Sequence, residues 1–307
     1  MKRALVGCTG FVGSNIAASG CFDYLYNSKN ISEAEGLEPD LLVYSGVRAE
    51  MFLSNQNPIA DMEIIKNAAE NIRKINPKQV VLISTAAVYE NLEEQTEKSI
   101  MKVSGLSAYG LNRYFLECWV QDNFEDSLIV RLPALFGENL KKNFIYDLIH
   151  FIPGMLNAAK YEELSRESGM IKEAYELQEN GFYKCRSLSE EIHRDLKKEF
   201  EKIGFSALNF TDSRSRYQFY NLEHLWEHIQ IALDHKISKI NIVTEPVAVS
   251  ELYHYIMGKE FSNLLPKEPF NYNLKTVYDS LFAGKSGYIY DKTFIMNEIK
   301  EFVEKQI

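Results

Sequence analysis

The sequence predicts a doubly wound α/β fold built on a parallel sheet, and three observations carry that prediction. Short apolar runs suited to buried strands alternate with segments of helical periodicity. The run Val80-Val81-Leu82-Ile83 is apolar throughout, as expected of a strand covered on both faces. The first run, Ala4-Leu5-Val6, passes directly into Gly7-Cys8-Thr9-Gly10-Phe11-Val12-Gly13 and then into a helix-compatible segment. A strand that ends in a glycine turn and opens a helix is a site for a pyrophosphate. Glycine lets the backbone come close, and the N–H groups and dipole at the helix N-terminus favour negative charge. In that reading Gly7 makes the tight turn, Gly10 allows the close approach, and Gly13 lets the helix touch the strand. Thr9, Phe11 and Val12 belong to the same phosphate loop.

The remaining elements follow in order. Residues 22–26 read as a second strand and 41–44 as a buried third. Ile64, Ile65, Ala68, Ile72 and Ile75 share one face of a helix over 62–75, which Pro77 ends. After the strand at 80–83, a helix is expected over 109–120 and a strand over 128–130. This alternation gives right-handed βαβ units. From about 161 to 202 the chain is rich in Glu, Lys and Arg with few strand signals, which predicts exposed helices or a mobile cover over the substrate cleft. A sheet-packing helix is expected over 223–234 and a late strand over 240–243. Ser250 reads as the cap of a helix over 250–257, with Glu251 beside it. The expected domains are 1–137 plus about 213–245 for the dinucleotide, and about 138–212 plus 246–307 for a smaller, discontinuous, mainly helical substrate domain.

Composition excludes several classes. A formal net charge of -9, with no Lys/Arg-rich run, argues against nucleic-acid binding driven by phosphate contacts. No apolar run is long enough to span a bilayer, and the first one enters the glycine loop too soon for a signal peptide. Cys8, Cys21, Cys118 and Cys185 have no ligand spacing and read as reduced thiols, which predicts a cytoplasmic protein. His224-Leu225-Trp226-Glu227-His228 matches the HxxEH pattern of some zinc proteases. Leu222, Leu225, Trp226, Ile229 and Leu233 make that segment an amphipathic helix, and no third ligand is identifiable, so no metal site is expected.

Two further landmarks bear on chemistry. Ser84-Thr85-Ala86-Ala87-Val88-Tyr89 follows the strand ending at Ile83, and Tyr109-Gly110-Leu111-Asn112-Arg113 opens a helix 24 residues after Thr85. Oxidation or reduction at a carbon–oxygen bond by a nicotinamide needs a hydroxyl acid/base and a second hydroxyl on the substrate oxygen. A tyrosine with a cation one helical turn on supplies the first. Thr85, at the end of a parallel strand, supplies the second.

At these residues the sequence resembles the extended short-chain dehydrogenase/reductases, the nucleotide-sugar epimerases, dehydratases and reductases. Gly7, Gly10 and Gly13 match the family's GxxGxxG turn, and Tyr44-Ser45-Gly46 is similar to its apolar-Ala-Gly turn. The segment from Ser84 to Tyr89 resembles SSxxVYG. Arg131-Leu132-Pro133-Ala134-Leu135-Phe136-Gly137 resembles the stretch that passes the nicotinamide, and Gln218-Phe219-Tyr220-Asn221-Leu222 the return to the cofactor domain. The resemblance implies a Rossmann-type domain in which Thr85 and Tyr109 take the catalytic places. Arg113 stands where the family has lysine. It keeps the charge and can donate to ribose hydroxyls, but its planar fork places that charge differently and cannot relay a proton. Ser45, Gly46 and Pro133 join the cofactor site, with Tyr109 and Arg113.

The end of the second strand bears on the cofactor. An acidic residue there would hold the adenosine hydroxyls of NAD. Asn27-Ser28-Lys29 stands there instead, which favours NADP and leaves NAD as the alternative. Lys141-Lys142-Asn143 could meet a diphosphate or a sugar hydroxyl, or form a solvated charge pair. The expectation is an NAD(P)-dependent oxidoreductase acting on a sugar carbon of a nucleotide-activated sugar, with reduction favoured and a homodimer compatible. The alternatives are an epimerase or dehydratase with tightly held NAD, and a non-catalytic dinucleotide sensor.

Overall fold

A computed structural model of the protein describes residues 1–306. The chain divides into two units. Met1–Leu140, Arg216–Val247 and Phe270–Glu298 form the first. Lys141–Ser215, Ala248–Pro269 and the chain from Ile299 onward form the second. The segment Phe270–Glu298 thus counts with the first unit, apart from Ala248–Pro269 before it.

The first unit is built on six strands: β1 (Arg3–Val6), β2 (Tyr24–Tyr26), β3 (Leu41–Tyr44), β4 (Gln79–Thr85), β5 (Ser127–Leu132) and a late strand, Lys239–Asn241. The order across the sheet is the late strand, β5, β4, β3, β1, β2, and every pairing is parallel. β2 lies on one side of β1 while β3 to β5 continue on the other. The order in which strands are added thus reverses at β1, and open α/β sheets place ligands beyond the carboxyl ends of the strands at such a point.

Alternation along each strand explains the two-sided core. Leu5, Leu41, Val43, Val81, Leu128 and Val130 pack with Ile16 of helix α1 (Phe11–Ser19) and Trp226 and Ile229 of the helix Leu225–Asp234. Ala4, Val6, Leu42, Tyr44, Val80 and Leu82 pack on the other face. There they meet Ile65, Ala68 and Ile72 of α3 (Pro58–Ile75) and Leu116 and Val120 of α4 (Ala108–Asn123); a short α2 (Met51–Gln56) precedes α3. All four residues of β3 are buried, as a central strand covered on both faces requires.

α3 begins earlier than the apolar spacing suggested. Asn57 caps it by accepting from the Ala60 amide, and Pro58 takes the first turn, where its missing N–H is no loss. Ile64 is 36% exposed and does not belong to the buried face assigned to it. Asn76 ends the helix in the left-handed conformation (φ 52°) just before Pro77.

The second unit has its own apolar centre, made by Leu156 together with Leu164, Ile171, Tyr175, Leu196 and Phe200 of the charged stretch. It also contains a three-stranded antiparallel sheet of Met155–Leu156, Tyr183–Cys185 and Tyr175–Leu177, which the sequence reading missed. The strands are only two or three residues long, too short for a periodic signal. Ser250 is not a cap: the helix Val249–Met257 follows Ala248, which makes no side-chain cap. Among the described residues no helix is long and apolar enough to cross a membrane.

Candidate active site

The glycine turn closes onto the ends of its neighbouring strands. The Gly7 and Cys8 amides both donate to the Tyr26 carbonyl at the end of β2, at 2.8 and 3.1 Å. Gly7 has φ +88°, and a Cβ there would lie 2.6 Å from the Ser45 backbone. A Cβ on Gly13 would lie 2.1 Å from the Gly7 carbonyl oxygen, so α1 rests directly on the turn. Gly10 differs, since an added Cβ would meet only the Gly7 oxygen, at 3.3 Å, and its outer side is open. No side chain caps α1 at Gly10, so the amides of Phe11 and Val12 stand at an uncapped N-terminus with Thr9 exposed beside them. An extended backbone cradle and helix-end donors of this kind fit a dinucleotide pyrophosphate. Ser45 holds the turn after β3 by donating its hydroxyl to the Val6 carbonyl at 2.9 Å, and the exposed Gly46 follows.

At the end of β2, Asn27 accepts from the Lys29 amide at 2.9 Å, and its own amide donates to the Asn30 side chain at 2.8 Å. The side-chain oxygens of the two asparagines shape the turn. Ser28 and Lys29 are exposed beyond it.

Thr85 and Tyr109 come together across β4 and α4. Ser107 caps α4 through the Gly110 amide, and Asn55 accepts from the Tyr109 amide at 2.9 Å. A Cβ on Gly110 would lie 2.1 Å from the Ala87 carbonyl, so only glycine lets α4 press against the turn after Thr85. The Thr85 hydroxyl accepts from the Ala87 amide at 3.2 Å and hydrogen-bonds the Tyr109 phenol. Burial raises that phenol above the usual tyrosine range, while the Arg113 charge and the Thr85 bond pull it back down. Tyr109 therefore stands as a neutral phenol at neutral pH.

Arg113 is not free to act as a lone cation. Its guanidinium carbon lies 3.9 Å from the Tyr109 ring centroid. One nitrogen donates to Asp61 and another to the Arg48 carbonyl at 2.7 Å. Asp61 was not anticipated; it is a polar residue one turn into α3 and carries no motif. Tyr272 was also missed. Burial raises its phenol, and so does its proximity to Tyr109. It belongs to Phe270–Glu298, where only a short 3₁₀ turn at Asp279–Phe282 precedes the helix that begins at Lys292.

Beneath these residues a buried ion pair fixes β4, β5 and α4. Glu117 receives Arg131 through Nε at 3.0 Å and through a second nitrogen at 2.5 Å, and also accepts from Ser84 at 2.5 Å. Arg131 also donates to the Tyr89 hydroxyl at 2.7 Å. That phenol has one proton, to give to the Thr96 carbonyl or to Asn241. Pro133 follows β5, half-buried. The Phe136–Gly137 turn is tied to α1 by Asn15, which donates to the Glu138 carbonyl at 2.9 Å. In the second unit, Asn143 caps the helix Phe144–His150 through the Ile145 and Tyr146 amides, while Lys141 and Lys142 are exposed.

The HxxEH residues do other work. His224 pairs with Glu298 at 2.7 Å, and His228 lies between the Tyr220 and Tyr290 hydroxyls at 2.7 and 3.3 Å. Among the described residues no group of three or more His, Cys, Asp or Glu could hold a metal ion.

The chain belongs to the NAD dependent epimerase/dehydratase family, whose model matches residues 24–176, in agreement with the extended short-chain dehydrogenase/reductase motifs. No curated protein matches the sequence. Solved structures with the same fold include a dTDP-4-dehydrorhamnose reductase from Clostridium acetobutylicum (14% identity, 99% of each chain, TM-score 0.62). A second is dTDP-4-dehydrorhamnose reductase from Bacillus anthracis in complex with NADP (13% identity, 99% of each chain, TM-score 0.62). A UDP-galactose 4-epimerase is similar at 15% identity over 99% of this chain and 98% of that one, with a TM-score of 0.62. At these identities the likeness is one of fold.

Proposed function

We propose that this member of the epimerase/dehydratase family is an NADP-dependent reductase acting at a carbonyl carbon of a nucleotide-activated sugar. The meeting of Thr85 with a neutral, buried Tyr109 at the carboxyl end of the sheet carries the reading. A phenol that keeps its proton is a donor, and reduction of a carbonyl needs a proton for the oxygen. The nicotinamide dinucleotide, when bound, supplies the hydride for the carbon. Thr85 turns its hydroxyl to the substrate oxygen, Tyr109 gives that oxygen its proton, and Arg113 over the ring eases the negative charge left on the phenolate. The glycine turn holds the pyrophosphate. Ser28 and Lys29, exposed beyond β2 with no carboxylate among residues 27–29, favour a 2′-phosphate. The solved reductase that carries NADP is consistent with this choice.

Two measurements test the reading together. Calorimetry should give NADPH roughly tenfold tighter binding than NADH, about 1.4 kcal/mol. Equal affinity, or a preference for NADH, would overturn the cofactor assignment. Tyr109→Phe should leave dinucleotide affinity within about threefold while abolishing turnover in a nucleotide-sugar screen. Turnover at the wild-type rate would remove Tyr109 from the chemistry.

A further inference from the structure

Four polar side chains from three helices meet in a place that no motif marks. Asp61 of α3, Arg113 and Asn112 of α4, and Ser54 of α2 are all at most 5% exposed. Both oxygens of Asp61 are engaged. One accepts from the Ser54 hydroxyl at 2.7 Å, and the other from Asn112 at 2.8 Å and from Arg113. The Arg48 carbonyl takes a second arm of the guanidinium at 2.7 Å. A guanidinium so anchored cannot swing out, and its carbon sits 3.9 Å from the centroid of the Tyr109 ring.

A buried carboxylate whose every bond served only to join α3 to α4 would not need to lie beside a phenol. Here it does, and its charge acts on Tyr109 in the sense opposite to that of Arg113. The groups that face Tyr109 are Arg113 from its own helix, Asp61 from α3, the Thr85 hydroxyl from the end of β4, and Tyr272 from Phe270–Glu298. Arg113 is the one cation among them, and Asp61 the one carboxylate.

We propose that Asp61 is a positioning residue for Tyr109: it fixes the Arg113 guanidinium over the ring and offsets its charge, so that Tyr109 remains a proton donor. A lysine in place of Arg113, without such a partner, would leave a net positive charge against the phenol and favour the phenolate. The pairing of arginine with a buried aspartate thus biases the site toward giving a proton, the direction of reduction. This inference rests on the assignment of Tyr109 as the acid, and its test does not depend on catalysis.

The measurement is the ionisation of Tyr109 in the ligand-free protein, followed by NMR of ¹³Cζ-labelled tyrosine and assigned by the signal lost in Tyr109→Phe. Asp61→Asn keeps the shape and removes the charge. The Tyr109 midpoint should fall by about one pH unit, a tenfold rise in the ionisation constant. Asp61→Asn is also made in the Arg113→Gln background, where it removes an unpaired buried carboxylate and so favours folding. The midpoint should fall there too, relative to Arg113→Gln alone. A midpoint unchanged in whichever of these backgrounds folds overturns the proposal. A fallen midpoint in a protein whose Tyr109→Phe variant turns over normally would uphold Asp61 and remove the catalytic reading instead.

Discussion

At the scale of single residues, Arg113 departs most from the pattern its motif resembles, and the structure gives that departure a physical basis. Its fork serves Asp61 and the Arg48 carbonyl at once, which the compact ammonium of lysine cannot do in one position. Arg113→Lys is therefore expected to lower stability by about 1–3 kcal/mol in urea unfolding, through a buried acceptor left short of a partner. Turnover should fall about tenfold, as the charge moves off the Tyr109 ring. Activity equal to or above that of the wild type would mean that the pocket is not built around the fork. The meeting of Thr85, Tyr109 and Arg113 could be anticipated from sequence because their spacing is local or tied to strand ends. Asp61 could not, since a buried aspartate in the first turn of a helix looks like an ordinary dipole partner. Only the crossing of α3 and α4 reveals what it faces.

At the scale of elements, three glycines in one turn have different tasks that their even spacing hides. Gly13 serves packing, because a Cβ at 2.1 Å from the Gly7 oxygen would push α1 away from β1. Gly10 is expected to serve the proposed dinucleotide instead, because an added methyl meets only the Gly7 oxygen, at 3.3 Å, and otherwise points to the open side of the loop. Gly13→Ala should lower the melting temperature by several degrees, the effect of roughly 1–3 kcal/mol of overpacking. Gly10→Ala should melt within about two degrees of the wild type yet bind dinucleotide at least about tenfold more weakly. Equal loss of stability in both variants would refute the division. The long central strands were legible because apolar runs covered on both faces have little other use. The strands of the second unit were not, because two or three residues carry no period. The segment read as exposed helices or a mobile cover holds its own centre in Leu164, Ile171 and Leu196.

At the scale of the whole molecule, the chain returns to its first unit twice, at Arg216–Val247 and again at Phe270–Glu298. The second return has no strand in the sheet to announce it, so the sequence did not reveal it. It brings Tyr290 and Glu298 to the two histidines of the helix at Leu225–Asp234 and the turn before it. These histidines respond to acid in opposite senses. The hydrogen bond to Glu298 raises His224, with burial opposing it, so its contribution is complete below the unfolded value and is lost as pH rises through the folded one. Burial lowers His228 to about 4, and its ring is held neutral between the Tyr220 and Tyr290 hydroxyls. Above about pH 6.5 neither the folded nor the unfolded form of His228 binds a proton, and it has no effect on the slope. As pH falls below that value the unfolded chain takes up a proton that the folded ring refuses until about 4, so stability drops across this window. The total for His228 is about 3.5 kcal/mol, from some two and a half units at about 1.4 kcal/mol each. His228→Gln removes this proton uptake. Urea unfolding from pH 7.5 to 4 should show a variant that begins less stable but loses less stability than the wild type as the pH falls. Parallel curves would mean that His228 takes up its proton as readily in the folded protein as in the unfolded chain, and that the two tyrosine hydroxyls do not hold it neutral.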